Sequence, residues 1–263
     1  MSASTARPAW LNEAGRRLRG AGRAGATAAR LLALAVTPSA WGAAQRHALA
    51  RQLVQGTAPL LAGYTALVAL LSLVLIRIVV VTAQGYGLSQ YAIEMVVRVL
   101  LLELIPLTAA LAVALRVTLP AGAEIGALRA SGALDALRRA GRDPLREELL
   151  PRVLGGLFAV VALATVNAVV CLVLAYLVVH GFTPWAFEAY TRRVGHVFSP
   201  AVSLVLVLKT AGFALAVALL PPVSALHEAP PGARAALPGL QGLVRTSVLI
   251  LLIEILSLVG NYG

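Results

Sequence analysis

Charge, aromatic residues and cysteine are all scarce in this sequence of 263 residues. Charged residues make up 13% of the chain and aromatic residues 5%, whereas 59% is hydrophobic and the mean hydropathy is +0.86. Soluble globular domains carry about twice that fraction of charge, so this class is excluded. The single cysteine, Cys171, lies in an apolar run and excludes both a disulfide framework and a cysteine-based metal site.

The short motifs of common catalytic sites are also missing. The sequence contains no GxSxG, no HExxH, no CxxC and no GxxxxGK followed by Ser or Thr. Its four histidines are scattered over positions 47, 180, 196 and 227. We therefore expect no catalytic residues, no metal and no cofactor. Without a P-loop of its own, a transporter with this sequence would take its energy from another subunit or from an ion gradient.

Leucine, alanine and valine are instead concentrated in five long apolar runs. These runs lie near residues 57–83, 91–119, 153–179, 200–220 and 240–259. A membrane-spanning helix needs about 20 apolar residues, and the runs lack the alternation that is typical of membrane barrels. The sequence thus predicts an all-α membrane protein, in which residues 56–263 form a polytopic domain with five transmembrane helices and residues 1–55 form an N-terminal segment.

The positive charge of the chain is placed as in a multi-pass membrane protein. The net charge is +11, and of 22 Lys and Arg residues eight precede residue 55 and seven lie between Arg116 and Arg152. Lys and Arg collect in cytoplasmic loops, so the pattern indicates a cytoplasmic N-terminus and a C-terminus on the opposite side of the membrane. A positive net charge that arises from cytoplasmic loops in this way does not indicate a nucleic-acid partner.

The N-terminal segment has a helical pattern between Trp10 and Leu32. Five apolar residues share one arc of a helical wheel, and four arginines occupy the other: Trp10, Leu11, Ala14, Leu18 and Ala21 against Arg16, Arg17, Arg19 and Arg23. This pattern predicts an amphipathic helix at the cytoplasmic membrane interface. A disordered basic tail is the alternative, because each glycine in the segment costs helix stability by ~1 kcal/mol.

Residues 120–150 between the second and third runs are charged and amphipathic. Pro120 and Gly122 predict a break in the helix, and Ser131 with Gly132 predicts a second one. Residues 133–140 then offer leucines beside charged residues. Asp143 and Pro144 have the form of an N-cap followed by proline at the first helical position. On spacing alone, a helix that docks on a partner and an ordinary interfacial loop explain this segment equally well.

Several charged residues lie within the apolar runs. Glu94 and Arg98 are four residues apart and are expected to pair on one helix face. Glu103, Lys209 and Glu254 have no such partner on their own helices. An unpaired charge at the bilayer centre costs ~3 kcal/mol, so we expect a contact between Glu103 and Lys209 across two helices. That contact would either orient the helices or line a functional pathway.

Four short motifs in the middle of the chain carry a resemblance to a known family. They are Glu103-Leu104-Ile105-Pro106, Ala123-Glu124-Ile125-Gly126, Asp143-Pro144-Leu145-Arg146 and Pro151-Arg152. In order and spacing the chain resembles the MlaE/YrbE family, the membrane permease subunits of MCE-type bacterial ABC lipid transporters. It departs from the family form at Leu102, Ile105 and Leu115, where the family usually has arginine, glycine and glycine. Close backbone approach is not expected at the two lost glycines.

The resemblance implies a function, a location and a set of partners. It implies a permease subunit without its own ATPase site in the bacterial inner membrane, moving phospholipid or a similar lipid to or from a periplasmic MCE-domain protein. The implied partners are an ABC ATPase subunit and a second permease copy, identical or different. It implies lipid-pathway roles for Glu103, Lys209 and Glu254. It further implies that residues 120–150 form a cytoplasmic ATPase-coupling segment through Glu124, Leu134, Asp135, Leu137, Arg138, Arg139, Asp143 and Pro144.

Two further classes of function fit the same residues. An ion-coupled secondary transporter would also place Glu103, Lys209 and Glu254 in the membrane, although no internal repeat typical of that class is present. A non-transporting membrane scaffold, or the degenerate half of a heterodimeric permease, would explain the departures at Leu102, Ile105 and Leu115.

Overall fold

A computed structural model of the chain describes residues 9–37, 42–227 and 238–262, and within these ranges the chain forms helices and no β-strand. In chain order the helices are α1 (Ala9–Val36), α2 (Ala43–Gly85), α3 (Ser89–Ala130), α4 (Ala133–Arg139), α5 (Leu145–His180), α6 (Phe187–Val197), α7 (Pro200–His227) and α8 (Pro238–Tyr262). The predicted all-α class is confirmed.

Five of these helices are long and apolar enough to cross a bilayer. The qualifying stretches are Arg46–Gly85, Ser89–Ala130, Leu145–His180, Pro200–His227 and Gly242–Gly260. Each contains one of the five predicted runs or nearly all of it, and α2 and α7 extend beyond the predicted spans. Their outward faces are apolar, with Leu67, Val207 and Leu256 more than half exposed. Such faces suit the hydrocarbon of a membrane.

The helix α3 runs unbroken through the point at which a break was predicted. Two stretches of π-helix interrupt its α-helical geometry, at Val97–Leu104 and Ala114–Thr118, and Pro106 and Pro120 each follow one of them. The break expected at Pro120 and Gly122 is therefore wrong. The wider π turn changes the hydrogen-bond register immediately before the proline, so the missing N–H and the ring are accommodated without ending the helix. The second predicted break, at Ser131 and Gly132, is confirmed.

The centre of the bundle is an apolar core to which all five spans contribute. One side chain from each span is fully buried in it: Ile76, Val113, Leu163, Phe213 and Ile250. Of the positions that depart from the family form, Leu102 and Ile105 are buried and Leu115 faces outward. The branched side chains at 102 and 105 thus fill space between helices.

Close crossings between helices depend on glycine. A Cβ on Gly122 of α3 would lie 3.0 Å from the backbone of Pro221 on α7. A Cβ on Gly156 of α5 would lie 2.8 Å from the Thr118 side chain of α3. Gly122 thus permits approach of two backbones to a distance that a side chain would prevent, and Gly156 leaves room for the Thr118 side chain. The helices α3, α5 and α7 are thereby held together at one end of the bundle.

The helix α1 lies across this same end. Leu31 is buried against Ile125 of α3 and Leu150 of α5, and Thr27 Oγ1 is 3.0 Å from Nε2 of His227 at the end of α7. A helix was predicted between Trp10 and Leu32, and it is present. The side chains of residues 9–21, which include the whole predicted apolar arc, lie outside the described residues.

Candidate functional site

A cluster of three charged side chains lies inside the bundle, one from each of three spans. The Lys209 ammonium on α7 contacts Glu103 Oε2 on α3, and its Nζ atom lies 2.8 Å from Glu254 Oε2 on α8. The predicted contact between Glu103 and Lys209 is confirmed. Glu254, for which the sequence offered no partner, joins the same cluster. We call these three residues the charged cluster.

The charged cluster is almost completely shielded from solvent. The Lys209 side chain is 1% exposed, and those of Glu103 and Glu254 are 14% and 12% exposed. The Phe213 ring lies one helical turn further along α7, with its centroid 5.8 Å from Lys209 Nζ. A buried ammonium is tolerated only when it is paired, and here two carboxylates and an aromatic face supply the compensation.

A backbone carbonyl completes the environment of Lys209. Nζ donates a hydrogen bond to the carbonyl oxygen of Leu102 at 3.2 Å. In a regular α-helix that oxygen would accept from the N–H of residue 106, but Pro106 has no N–H. Nζ also donates to Glu103 Oε2, while its contact with Glu254 Oε2 is an ion pair rather than a hydrogen bond. The ammonium is thus engaged by two side chains and one backbone carbonyl while the charged cluster is closed.

The segment between α3 and α5 forms a short helix with two different faces. The helix α4 is flanked by Gly132 and Gly141, whose φ angles of 75° and 74° only glycine adopts readily. Leu134 is buried and Leu137 half-buried on the inner face. Asp135, Arg138 and Arg139 are exposed on the outer face, where Arg138 Nη1 lies 3.1 Å from Asp135 Oδ1.

The predicted N-cap ahead of α5 is present. The backbone N–H of Leu145 donates to Asp143 Oδ1 at 3.0 Å, and Pro144 is buried at the first turn. The cap satisfies one of the free N–H groups at the start of the helix. A π-helical stretch, Leu145–Leu149, follows it.

A network of ion pairs connects the start of α5 with the end of α3 and with Arg142. Arg152 Nε lies 3.3 Å from Glu124 Oε2 near the end of α3, and Arg152 Nη1 lies 2.6 Å from Glu148 Oε2. Arg142 Nε donates to Glu147 Oε1 at 2.9 Å. Among the predicted coupling residues, Glu124 is thus joined to α5. The link through Glu148 and Arg152 was not predicted, although their spacing of four residues on one helix is a usable signal.

A polar cleft lies beside this network, between α2 and the start of α5. Its volume is about 380 Å³. Its walls carry charges of both signs, from His47 and Arg51 on α2 and from Glu147, Glu148 and Arg152 on α5. The predicted coupling residues thus gather near this end of the bundle, whereas the charged cluster lies deeper in the spans.

Comparison with known proteins agrees with this architecture. The family model described as Permease MlaE matches residues 49–259, which cover nearly all of α2 to α8. No curated protein matches the chain. The matched region includes the charged cluster, α4 and the five spans. The chain is a multi-pass membrane protein and belongs to the MlaE permease family, as a membrane permease subunit of an ABC-type transporter.

Proposed function

We propose that this permease subunit moves phospholipid, or a similar lipid, between the bacterial inner membrane and a periplasmic MCE-domain partner. The observation that carries the proposal is the charged cluster. Three ionisable residues from three spans meet inside an otherwise apolar bundle, and charges at that depth are typical of substrate pathways. The family to which the chain belongs favours a lipid as that substrate.

The cluster acts in this proposal as a closed gate. Lys209 holds α3, α7 and α8 together through its contacts with the two carboxylates and the Leu102 carbonyl. Separation of these helices would free the ammonium for an anionic lipid head group. The apolar side chains next to Glu103 on α3 would then line the opening for acyl chains: Ile105 is buried, and Leu107 and Leu111 are half-buried against the core.

An ABC ATPase subunit would supply the energy through α4. The sequence has no P-loop, so ATP hydrolysis belongs to a partner. The outer face of α4 offers Asp135, Arg138 and Arg139 to that partner, while Leu134 is buried on the inner face. The ion pairs of Arg152 with Glu124 and Glu148 would carry a movement of this segment into α3 and α5.

The orientation follows from the placement of arginine. The end of the bundle with α1, α4 and the Arg152 network carries many of the arginines, which favours the cytoplasmic side for it and for the N-terminus. The opposite end, with α6, would face the periplasm together with the C-terminus. A second permease copy, identical or different, would complete the transporter.

Purification from native membranes in mild detergent tests the proposal. The material that accompanies the protein is identified by mass spectrometry, including extracted lipid. We expect an ABC ATPase subunit, an MCE-domain protein and phospholipid. Recovery of the chain without an ATPase would overturn the proposal and favour an ion-coupled transporter or a scaffold. A second, different permease would assign the chain to a heterodimer.

A further inference from the structure

The charged cluster contains more negative than positive groups. Two carboxyls, Glu103 and Glu254, surround one ammonium, Lys209. Both carboxyls pair with this same cation. In the neighbouring spans, Arg77 on α2 is exposed, Arg98 is paired with Glu94 on α3, and Arg152 lies in the network at the start of α5. If all three groups were ionised, a net negative charge would be buried in the membrane core.

The two carboxyl groups also approach each other. Glu103 Oε2 and Glu254 Oε2 both contact the same Lys209 Nζ atom, which brings the two carboxyl groups close together. Glu254 is buried as a whole residue. The second oxygen of Glu103, Oε1, is also buried and has no hydrogen-bond partner among the described residues. Two ionised carboxylates repel at such a distance, and neither has a hydrogen to donate. A single proton removes the repulsion and supplies the missing donor.

We propose that the charged cluster binds one exchangeable proton, held between the carboxyls of Glu103 and Glu254. The closed cluster then consists of one carboxylate, one carboxylic acid and one ammonium, and it carries no net charge. The proton is taken from water when the cluster closes and returns to water when the carboxyls separate and become hydrated. This inference concerns the charge of the closed cluster and does not depend on which substrate the permease moves.

A proton site has a consequence for how the cluster opens. Separation of α3 from α8 would expose two carboxyls to water, where both ionise. Each opening would thus release one proton, and each closure would take one up. The number of bound protons therefore reports whether the cluster is open or closed.

Infrared difference spectroscopy of the purified full chain at neutral pH tests the proposal. A protonated carboxyl has a C=O stretching band that a carboxylate lacks and that shifts in D₂O. We expect this band in the wild-type protein, with an amplitude of one carboxyl per chain. Glu254→Gln and Glu103→Gln should each abolish it, because the remaining carboxylate pairs with Lys209 and needs no proton. The wild type without such a band would overturn the proposal.

Two further variants separate the cluster from other carboxyls. Glu124→Gln removes a carboxylate that is 62% exposed, and it should leave the band unchanged. Lys209→Met removes the ammonium, and where it folds the band should double because both carboxyls then become neutral. A band that persists in both Glu103→Gln and Glu254→Gln arises elsewhere and would contradict the assignment. The spectra need no transport, so a failed lipid assay leaves this test intact.

Discussion

Lys209 is the only lysine in the sequence, and its ammonium joins three helices at one point. A long flexible side chain loses conformational freedom when it is fixed in this way, and an ammonium loses hydration. Those losses are offset by the contacts of the ammonium with two carboxyl groups and the Leu102 carbonyl. The stability of the bundle near the cluster therefore depends on Lys209 much more than on any exposed arginine.

Replacement of this lysine should destabilise the fold strongly. Lys209→Met leaves two buried carboxyls without their counter-ion, and breaking a buried ion pair from one side costs about 3–5 kcal/mol. We expect a clear fall in the midpoint of thermal unfolding, measured in detergent by loss of helical circular dichroism.

An exposed ion pair provides the matched control. Arg192 pairs with Glu188 on α6, and both side chains are about three-quarters exposed, at 75% and 76%. Arg192→Met should change the unfolding free energy by only about 0.5 kcal/mol. Equal effects of the two replacements would mean that the burial of Lys209 in the cluster contributes nothing to stability.

The sequence allowed part of the cluster to be predicted, for a physical reason. Glu103 and Lys209 stand in apolar runs without a partner on their own helix. A contact between helices was therefore the expected arrangement, because it lowers the free energy of two charges in the membrane. The position of Glu254 beside Lys209 depends on how α8 is rotated against α7, and no pattern in the sequence reports that rotation. The sequence also contained a signal for the Leu102 carbonyl that was not used. Pro106, four residues later, has no N–H to donate to this carbonyl, which leaves it able to accept from Lys209.

At the crossing of α3 and α7 the decisive residue is a glycine. Gly122 faces the backbone of Pro221, and a Cβ there would meet the carbonyl carbon and oxygen at 3.0 Å. A backbone cannot move aside as the end of a side chain can. Gly126, one turn further along α3, has nothing within 4 Å of the corresponding position.

Replacement by alanine should therefore change the stability of the protein in opposite directions at these two positions. Gly122→Ala pushes α3 away from α7 and should destabilise the protein by about 1–3 kcal/mol. Gly126→Ala meets open space in a helix interior and should stabilise it by about 0.5–1 kcal/mol. Thermal unfolding of both variants in the same detergent measures the difference. A Gly122→Ala protein as stable as Gly126→Ala would show that the two backbones are not in contact.

The course of α3 is the part of the fold that sequence reasoning described least well. Proline in a helix interior predicts a break from local geometry alone, and Pro120 was interpreted in that way. The π-helical stretch Ala114–Thr118 changes the register before the proline, and such stretches leave no clear signal in the sequence. The turn at Gly132 and the cap at Asp143 were predicted correctly because both depend on the chemistry of one or two neighbouring residues.

Reversal of charge on the outer face of α4 tests its proposed contact with an ATPase subunit. Arg138→Glu combined with Arg139→Glu should reduce the ATPase recovered with the purified chain by about tenfold or more, because it reverses the charge of two side chains that the proposal places at the interface. Both arginines are exposed, so the fold should be unaffected. Arg192→Glu combined with Arg193→Glu, on exposed residues of α6, is the control and should leave recovery unchanged. Equal recovery with both double variants would exclude this face as the contact.

Taken as a whole, the molecule has a bundle of five spans with an apolar core, between two unlike ends. One end carries α1, α4 and the Arg152 network, and the other carries α6. The number of spans and their centres were predictable, because length and apolar content decide which segments cross a membrane. The extension of α2 back to Ala43 and of α7 to His227 could not be predicted. The added turns of α2 are polar and those of α7 contain proline, so neither has the apolar pattern that marks a span.

The most direct test of the proposed function is ATP-dependent lipid transfer by the complex purified from native membranes. The complex is placed in vesicles that contain labelled phospholipid, and label that moves between the vesicles and the MCE-domain partner is measured with and without ATP. We expect transfer that requires ATP, and we expect Glu103→Gln to slow it by about tenfold or more at equal protein level, because it replaces a carboxyl group that contacts Lys209 in the cluster. Transfer at the wild-type rate in Glu103→Gln, or no ATP-dependent transfer in the wild type, would contradict a lipid pathway through the charged cluster.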